Sequence, residues 1–481
     1  MGKSIKKACL YLVAMLLMAA TFAQTEAPNT TIFSTDDPNT PSDSINLFTV
    51  RNIIISGNKK TNPDIILREL DFQVGEHYPL DQITTRFQRA RKNLMNTGLF
   101  LNVVVSLKSM SGYEVYVSVH VEEKWYIWPK PFVRTVDRSF GVWWKDQDRN
   151  LNRINYGLSL SHNNFTGNND RLKINFMSGY TRQLSLQYYG LFLDNALKWS
   201  VNGGVAFGKN REVNYMTRGN KLVPVKDPDH YLRTYMSWFA QLNYRPAIKT
   251  KHTLSIGYSY EEVADTVVKL NPDFSEGRNI IRQPEISYRM SYFDVDFIPY
   301  PTRGNIADIT IRKKGFNDPL NLWQLTVRAS HIWPLTPKYF FSVSGVGMLK
   351  LPLKQPYVTN QFIGYEDQYL QGYEYYVIDG VAGGYTKATL NRSLLNTAVR
   401  LPTTRFNQTR SMPIKIYAKA FTNAGYVYCP SSRNNVLTNT FIYSGGIGLD
   451  VVLFADFVVK LEWSFNRLGE NGLYLHRRSY F

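Results

Sequence analysis

Val459-Lys460-Leu461-Glu462-Trp463-Ser464-Phe465 is the stretch whose reading decides the fold. Apolar and polar side chains alternate along it without a break, so an extended chain here has one apolar and one polar face. The same period recurs at Leu172, Ile174 and Phe176, which alternate with Lys173, Asn175 and Met177. Segments of this kind follow one another over roughly 350 residues, from Phe132 to Phe481, and number about sixteen. A soluble sandwich also alternates; the connections separate the two readings. Tight turns such as Thr166-Gly167-Asn168 take turns with longer loops rich in Asn, Lys and Pro, among them Asn210–Asp229 and Val263–Gly277. That rhythm is the one a transmembrane β-barrel writes into its sequence.

The start of the chain sets the compartment. Met1–Ala23 has Lys3, Lys6 and Lys7, an apolar run from Ala8 to Ala20 and a small-residue end at Thr21-Phe22-Ala23, the layout of a cleaved secretory signal. Nothing after it approaches the roughly 18 apolar residues of a spanning helix. An exported chain of amphipathic strands fits the outer membrane of a bacterium. Aromatic residues make up 14% of the chain, with 32 tyrosines, and such residues form the interfacial belts of these barrels. The formal charge is +18, with three lysines and no acid in the signal. For an exported chain with dispersed basic residues the expected partners are the lipid bilayer, lipopolysaccharide phosphates and anionic segments in a barrel lumen, and not nucleic acid. Cys9 leaves with the signal, so Cys429 alone can form no internal disulfide.

Residues 24–45 are rich in Thr, Asn, Pro, Asp and Ser and read as a flexible leader. Residues 46–123 read as a small α/β domain. Phe48–Ser56 is a strand that closes on Gly57-Asn58, and Asn62-Pro63 opens a short helix through Leu70. Ile83, Phe87, Ala90 and Leu94 share one face of a second helix that ends near Gly98. Leu101–Leu107 and Tyr113–Val121 are strands, the second burying Val115, Val117, Val119 and Val121. Residues 124–131 read as a linker and residues 132–481 as the barrel. No enzyme signature is present in the sequence. Gly203–Asn210 lacks the Ser or Thr that should follow Lys209 in a phosphate loop, the seven histidines are scattered, and no Gly-x-Ser-x-Gly elbow occurs. Neither cofactor nor metal is expected.

The strand-helix-helix-strand-strand order, with the words Ile55-Ser56-Gly57-Asn58 and Asn96-Thr97-Gly98-Leu99-Phe100, resembles a POTRA domain of the outer-membrane assembly superfamily that includes BamA and TamA. Four further passages carry the resemblance into the barrel. Pro301-Thr302-Arg303-Gly304, preceded by Asp294 and Asp296, is similar to the Pro-x-Arg-Gly passage of bacterial surface antigen barrels. Leu370, Gln371, Gly372 and Tyr373, within Gln355–Gly384, resemble the loop-six motif, a hydrophobic residue followed by Arg-Gly-Phe/Tyr. Phe421, Asn423 and Gly425 resemble the strand motif Phe-x-Asp-x-Gly. Leu473–Phe481, with Tyr474, Tyr480 and Phe481, resembles the terminal strand.

The resemblance implies a mainly β chain, an α/β POTRA domain of order β-α-α-β-β followed by a sixteen-stranded antiparallel transmembrane barrel with an inward-folded loop six. In the family that loop's Arg pairs with the strand's Asp. Here Gln371 and Asn423 stand at those positions, and two amides can hydrogen-bond each other without stranding a charge. A neutral Gln371–Asn423 latch is therefore expected, against the alternative that both positions drifted. The implied function is assembly, insertion or export of outer-membrane or surface proteins. The POTRA edge receives an unfolded chain by strand addition and a seam between Phe132–Trp144 and Leu473–Phe481 opens laterally. Accessory lipoproteins are expected partners, and a single POTRA domain points to one substrate class. Close rivals are a two-partner exporter and a lipoprotein-export accessory; from other classes come a passive pore with POTRA as a docking module and a soluble binding protein.

Overall fold

The computed structural model describes residues 47–136, 148–316, 320–365, 368–399, 412–431, 435–453 and 457–477. The signal, the leader, part of the expected seam (137–144), Tyr480 and Phe481 lie outside the described residues. Among the described residues, those from Leu47 to Lys124 form one unit and those from Trp125 another.

The N-terminal unit runs β1 (Leu47–Ser56), α1 (Pro63–Leu67), β2 (His77–Pro79), α2 (Leu80–Asn96), β3 (Phe100–Ser111) and β4 (Glu114–Glu123). The Asn62 side chain accepts from the Asp64 N–H with Pro63 in the first helical turn, the arrangement that satisfies a helix start. The helix stops at Leu67, short of Leu70, and β2 adds a strand between the helices. The sheet order is β2-β1-β4-β3, with β1 and β4 parallel. Val115, Val117, Val119 and Val121 are buried, as are Ile65, Ile66, Ala90 and Leu94 from the helices. Gly57 leaves β1 at φ +87°, where a Cβ would sit 1.9 Å from the Val121 carbonyl oxygen, so this exit admits only glycine. β3 is the long edge of the sheet and leaves Val104, Leu107 and Met110 exposed.

The second unit is one antiparallel sheet of sixteen strands joined in chain order. It comprises β5 (Ile127–Thr135), β6 (Ile154–Asn163), β7 (Arg171–Gly179), β8 (Thr181–Phe192) and β9 (Trp199–Asn210). Outside the sheet stand the hairpin β10 (Glu212–Arg218) and β11 (Lys221–Lys226). The sheet resumes with β12 (Arg233–Ala247) and β13 (Thr250–Val263), which the helix α3 (Asp265–Leu270) follows. Next come β14 (Ile280–Val295), β15 (Gly304–Lys314), β16 (Leu322–Pro334) and β17 (Tyr339–Leu351). Two short strands, β18 (Gln361–Ile363) and β19 (Ile378–Asp379), lie within the next connection. The sheet ends with β20 (Ala382–Val399), β21 (Met412–Tyr428), β22 (Phe441–Leu453), β23 (Phe457–Asn466) and β24 (Asn471–Arg477). Among the described residues no helix is long and apolar enough to cross a membrane.

Alternation decides what each strand presents. On β23, Leu461, Trp463 and Phe465 are exposed outward while Glu462, Ser464 and Asn466 are buried inward. Leu184, Phe207, Ile256, Ile309 and Leu449 continue the apolar outer face. Trp199, Tyr244, His252 and Tyr288 stack ring on ring across four strands, part of an aromatic belt. Residues 127–131 correct the expected linker, because Ile127 already pairs with His162 in β5. Pro129 and Pro131 both sit in a strand that pairs only with β6 among the described residues. Proline is tolerated on such an edge because its missing N–H breaks no ladder bond.

Two expected loops carry structure of their own. Asn210–Asp229 contains the β10–β11 hairpin, whose two-residue turn Gly219-Asn220 has φ +57° and +58°, as a type I′ turn requires. Val263–Gly277 contains α3. These connections and loop six share one apolar core at the far end of the barrel, opposite the end where the chain enters β5. Val213, Val263, Val267, Phe274, Leu320 and Tyr357 meet there. Asn220, fully buried, holds that cap to two other loops. Its side chain donates to the Val377 carbonyl at 3.0 Å and accepts from the Leu437 N–H at 3.0 Å. Its backbone N–H donates to Asn435 Oδ1 at 2.8 Å and its carbonyl accepts from the Val377 N–H at 2.8 Å.

Asn220→Ala removes two buried side-chain hydrogen bonds, each contributing about 0.5–1.5 kcal/mol. Amide hydrogen exchange at Val377 and Leu437 should then accelerate by about tenfold or more. Unchanged exchange would show that the cap is held by other contacts.

Candidate functional site

Pro352–Val381, between β17 and β20, is the sixth far-end connection between described strands, and it folds inward. Phe362, Ile363, Leu370, Tyr373 and Ile378 pack on the inner wall residues Val346, Met348, Tyr385, Val427 and Ile442. The sequence motif lies where this loop meets β22 and β23. Gly372 adopts φ +87°, and a Cβ there would come within 3.0 Å of both Ser444 Cβ and the Phe465 carbonyl oxygen. Glycine therefore permits the approach. The Gly372 carbonyl accepts from Asn466 Nδ2 at 2.7 Å. Tyr373 Oη donates to the Tyr443 carbonyl at 2.7 Å.

Gln371 and Asn423 are both buried, but their side chains do not bond each other. Gln371 Nε2 donates to Glu462 Oε1 at 2.8 Å, and Asn423 Nδ2 donates to Ser444 Oγ at 2.9 Å. Ser444 Oγ in turn donates to the Gln371 backbone carbonyl at 2.5 Å. The expected direct latch is thus corrected to a contact through Ser444. The register explains why: Asn423 lies opposite Ser444, so β22 fills the space between β21 and the loop. Gln371 Oε1 and Asn423 Oδ1 accept no hydrogen bond among the described residues. Phe421 faces inward with its ring over Gly446, and Gly425 is buried opposite Tyr385.

The charge lies elsewhere. Glu462 has no exposed surface and meets Lys419 Nζ at 2.6 Å. The same ammonium meets Asp450 Oδ1 at 2.5 Å. Asp450 also accepts from Tyr300 Oη at 2.9 Å. Tyr300 belongs to the turn that bears Pro301-Thr302-Arg303-Gly304, and its ring stacks on Tyr417 at 4.7 Å. Asp296 shapes that turn, accepting from the Thr302 N–H at 2.9 Å and from Thr302 Oγ1 at 2.5 Å. On the other side, His476 Nε2 of β24 lies 3.2 Å from Glu462 and 3.3 Å from Glu374 of loop six. Tyr369 and Tyr375 of the loop pack on His476 and Tyr474 of the same strand. One polar chain therefore joins a near-end turn, three wall strands, loop six and the last described strand. A cavity of about 170 Å³ adjoins it, lined by Tyr300, Gln371, Lys387, Lys419, Asp450 and Lys460.

Sequence reasoning missed Lys419, Asp450 and His476 as partners of Glu462. Two unlike charges at inward positions of strands two apart, Lys419 on β21 and Glu462 on β23, were the available signal.

The two units together define an outer-membrane β-barrel protein with a POTRA domain. Residues 48–124 match the POTRA family, a surface antigen variable number repeat, and residues 164–453 match the Omp85 superfamily domain. The chain belongs to the Omp85 superfamily, and with it to the machinery of outer-membrane protein assembly or secretion. Among solved structures it is similar to BamA from Haemophilus ducreyi lacking POTRA domains 1–3, at 13% identity and a TM-score of 0.49, over 89% of this chain and 83% of that one. CdiB from Escherichia coli gives 10% identity and a TM-score of 0.45, over 98% and 95%. CdiB from Acinetobacter baumannii gives 12% and 0.46, over 90% and 74%. No curated protein matches the sequence.

Lys419→Met leaves Asp450 and Glu462 without their shared cation and should cost about 3–5 kcal/mol. Gln371→Ala removes one hydrogen bond to a charged acceptor and should cost about 1.5–3 kcal/mol. Guanidinium unfolding of the full-length protein in detergent, followed by tryptophan fluorescence, ranks the two. The reverse order would remove Lys419 from its place as the neutralising cation.

Proposed function

We propose that this protein receives unfolded outer-membrane or surface polypeptides in the periplasm and passes them to a laterally opening barrel seam, serving one substrate class. The observation that carries the reading is the sharing of Glu462 between Gln371 of loop six and His476 of β24. A carboxylate that accepts from the loop and touches the last strand couples displacement of the loop to loosening of that strand. The POTRA domain offers β3 as the edge that takes the incoming chain, its exposed Val104, Leu107 and Met110 covering an extended apolar segment.

The other side of the seam supports the same reading. Pro129 and Pro131 alternate on β5 while the ladder to β6 remains continuous, so the donors they lack are those of the opposite edge. A strand pairing there finds two fewer N–H groups. β24 contributes seven described residues. Few closing bonds keep the cost of opening low.

Quantitative outer-membrane proteomics after depletion of the protein tests the function. Loss of one protein or one narrow class is the expected result. A broad fall in barrel proteins would make it a general assembly factor, and an unchanged proteome would leave only a passive barrel.

A further inference from the structure

The inner wall has two chemically different parts. Along β12 to β23 the inward carboxylates are matched: Glu261 with Arg233 at 2.7 Å, Glu285 with Arg312 at 3.0 Å, and Asp308 with Arg328 at 3.1 Å. Asp450 and Glu462 share Lys419. β5 to β9 differ, since no Asp or Glu occurs in any of the five strands.

Four cations stand on that acid-free wall. Lys130 and Arg134 occupy inward positions of β5, and Arg171 and Lys173 inward positions of β7, whereas Val133, Leu158 and Phe176 are exposed on the outer face. Lys130 lies over the Trp128 ring, Arg171 over Tyr189 and Arg134 over Phe132. Arg134 also reaches Met177 Sδ at 3.1 Å. None of the four meets a carboxylate among the described residues. Lys130, Arg134 and Arg171 remain exposed and Lys173 is half-buried.

Their spacing states what they fit. Lys130 and Arg134 are four residues apart, about 13 Å along the strand, and β5 and β7 are about 10 Å apart across β6. The charges form a band and do not converge on a point, so a single phosphate would meet one or two of them. An extended peptide repeats its side chains on one face about every 7 Å, and carboxylates at alternate positions match the band. Between the cations lie the short polar side chains Ser159 and Asn175, hydrogen-bonded to each other at 2.6 Å, which leave room for a chain. Lipid headgroups belong to the outer face and the rims.

We propose that this band on the inner face of β5–β7 is the docking surface for an acidic, extended segment of the polypeptide that the barrel handles. The inference rests on the proposed function and adds to it the substrate's charge.

The test uses the full-length protein in zwitterionic nanodiscs and two fluorescein-labelled peptides, six Glu-Thr repeats and six Gln-Thr repeats, read by anisotropy. The acidic peptide should bind about tenfold or more tightly than the neutral one, with the preference shrinking as salt rises. Replacing Lys130, Arg134, Arg171 and Lys173 together by Gln should abolish the preference. Lys130→Glu with Arg134→Glu should create a preference for six Lys-Thr repeats, a gain that misfolding cannot produce. Equal binding of both peptides, or a preference that survives the quadruple change, overturns the proposal. So does equal competition by short-chain phosphatidylglycerol, which would assign the band to lipid phosphate. Failure here with a narrow proteome loss on depletion refutes the band alone, whereas a charge preference with an unchanged proteome refutes the transport function.

Discussion

Glu462, a carboxylate with no exposed surface, is the point on which the barrel interior depends. Burying an ion is costly unless its charge is matched and its lone pairs are filled. Lys419 supplies the charge, Gln371 supplies a donor from loop six, and His476 Nε2 of β24 lies 3.2 Å away. Because the cation also serves Asp450, and Asp450 holds Tyr300, the requirement propagates to the near-end turn. Removing any one member leaves a buried polar group on another element. The loop, the wall and the terminal strand thus meet at one electrostatic demand, in addition to the apolar packing of the loop on the wall.

The departure from the family motif follows from where the charge sits. The positions that resemble an Arg and an Asp in the superfamily hold Gln371 and Asn423, and the ion pair lies on the wall, between β21 and β23. Loop six meets the wall pair through a neutral amide, Gln371, while its own Glu374 faces His476. Breaking its bond forfeits about 1.5–3 kcal/mol, against about 3–5 kcal/mol for separating a buried pair. With both charges on strands, the wall pair is neutralised without a charged partner from the loop.

Much of this was legible from the chain alone, and what was not has a common cause. A period of two fixes which face a side chain takes, so Lys419, Asn423 and Glu462 could be placed inside from local sequence. Asn62-Pro63 marks a helix start by chemistry confined to adjacent residues. Which inward residue meets which depends on the stagger between strands, and Ser444 between Gln371 and Asn423 is invisible without it. The linker reading of residues 127–131 failed for a related reason. Two prolines argue against a strand in general but not against an edge, and being an edge is a property of the sheet. The hairpin at Gly219-Asn220 had a local turn signal, masked by the polar composition around it.

The cap at the far end carries a consequence for how the chain reaches its native state. Asn220 joins Asn435 and Leu437, partners separated by 215 and 217 residues. Contacts between such distant positions close long loops, and their entropy is recovered only when the intervening strands are already in place. The lid of the barrel therefore consolidates last, after the eight intervening sheet strands, β12 to β17, β20 and β21, have found their stagger. A nascent barrel with one misaligned strand would have an unsealed end, so closure of the lid reports that the strands beneath it are correctly aligned.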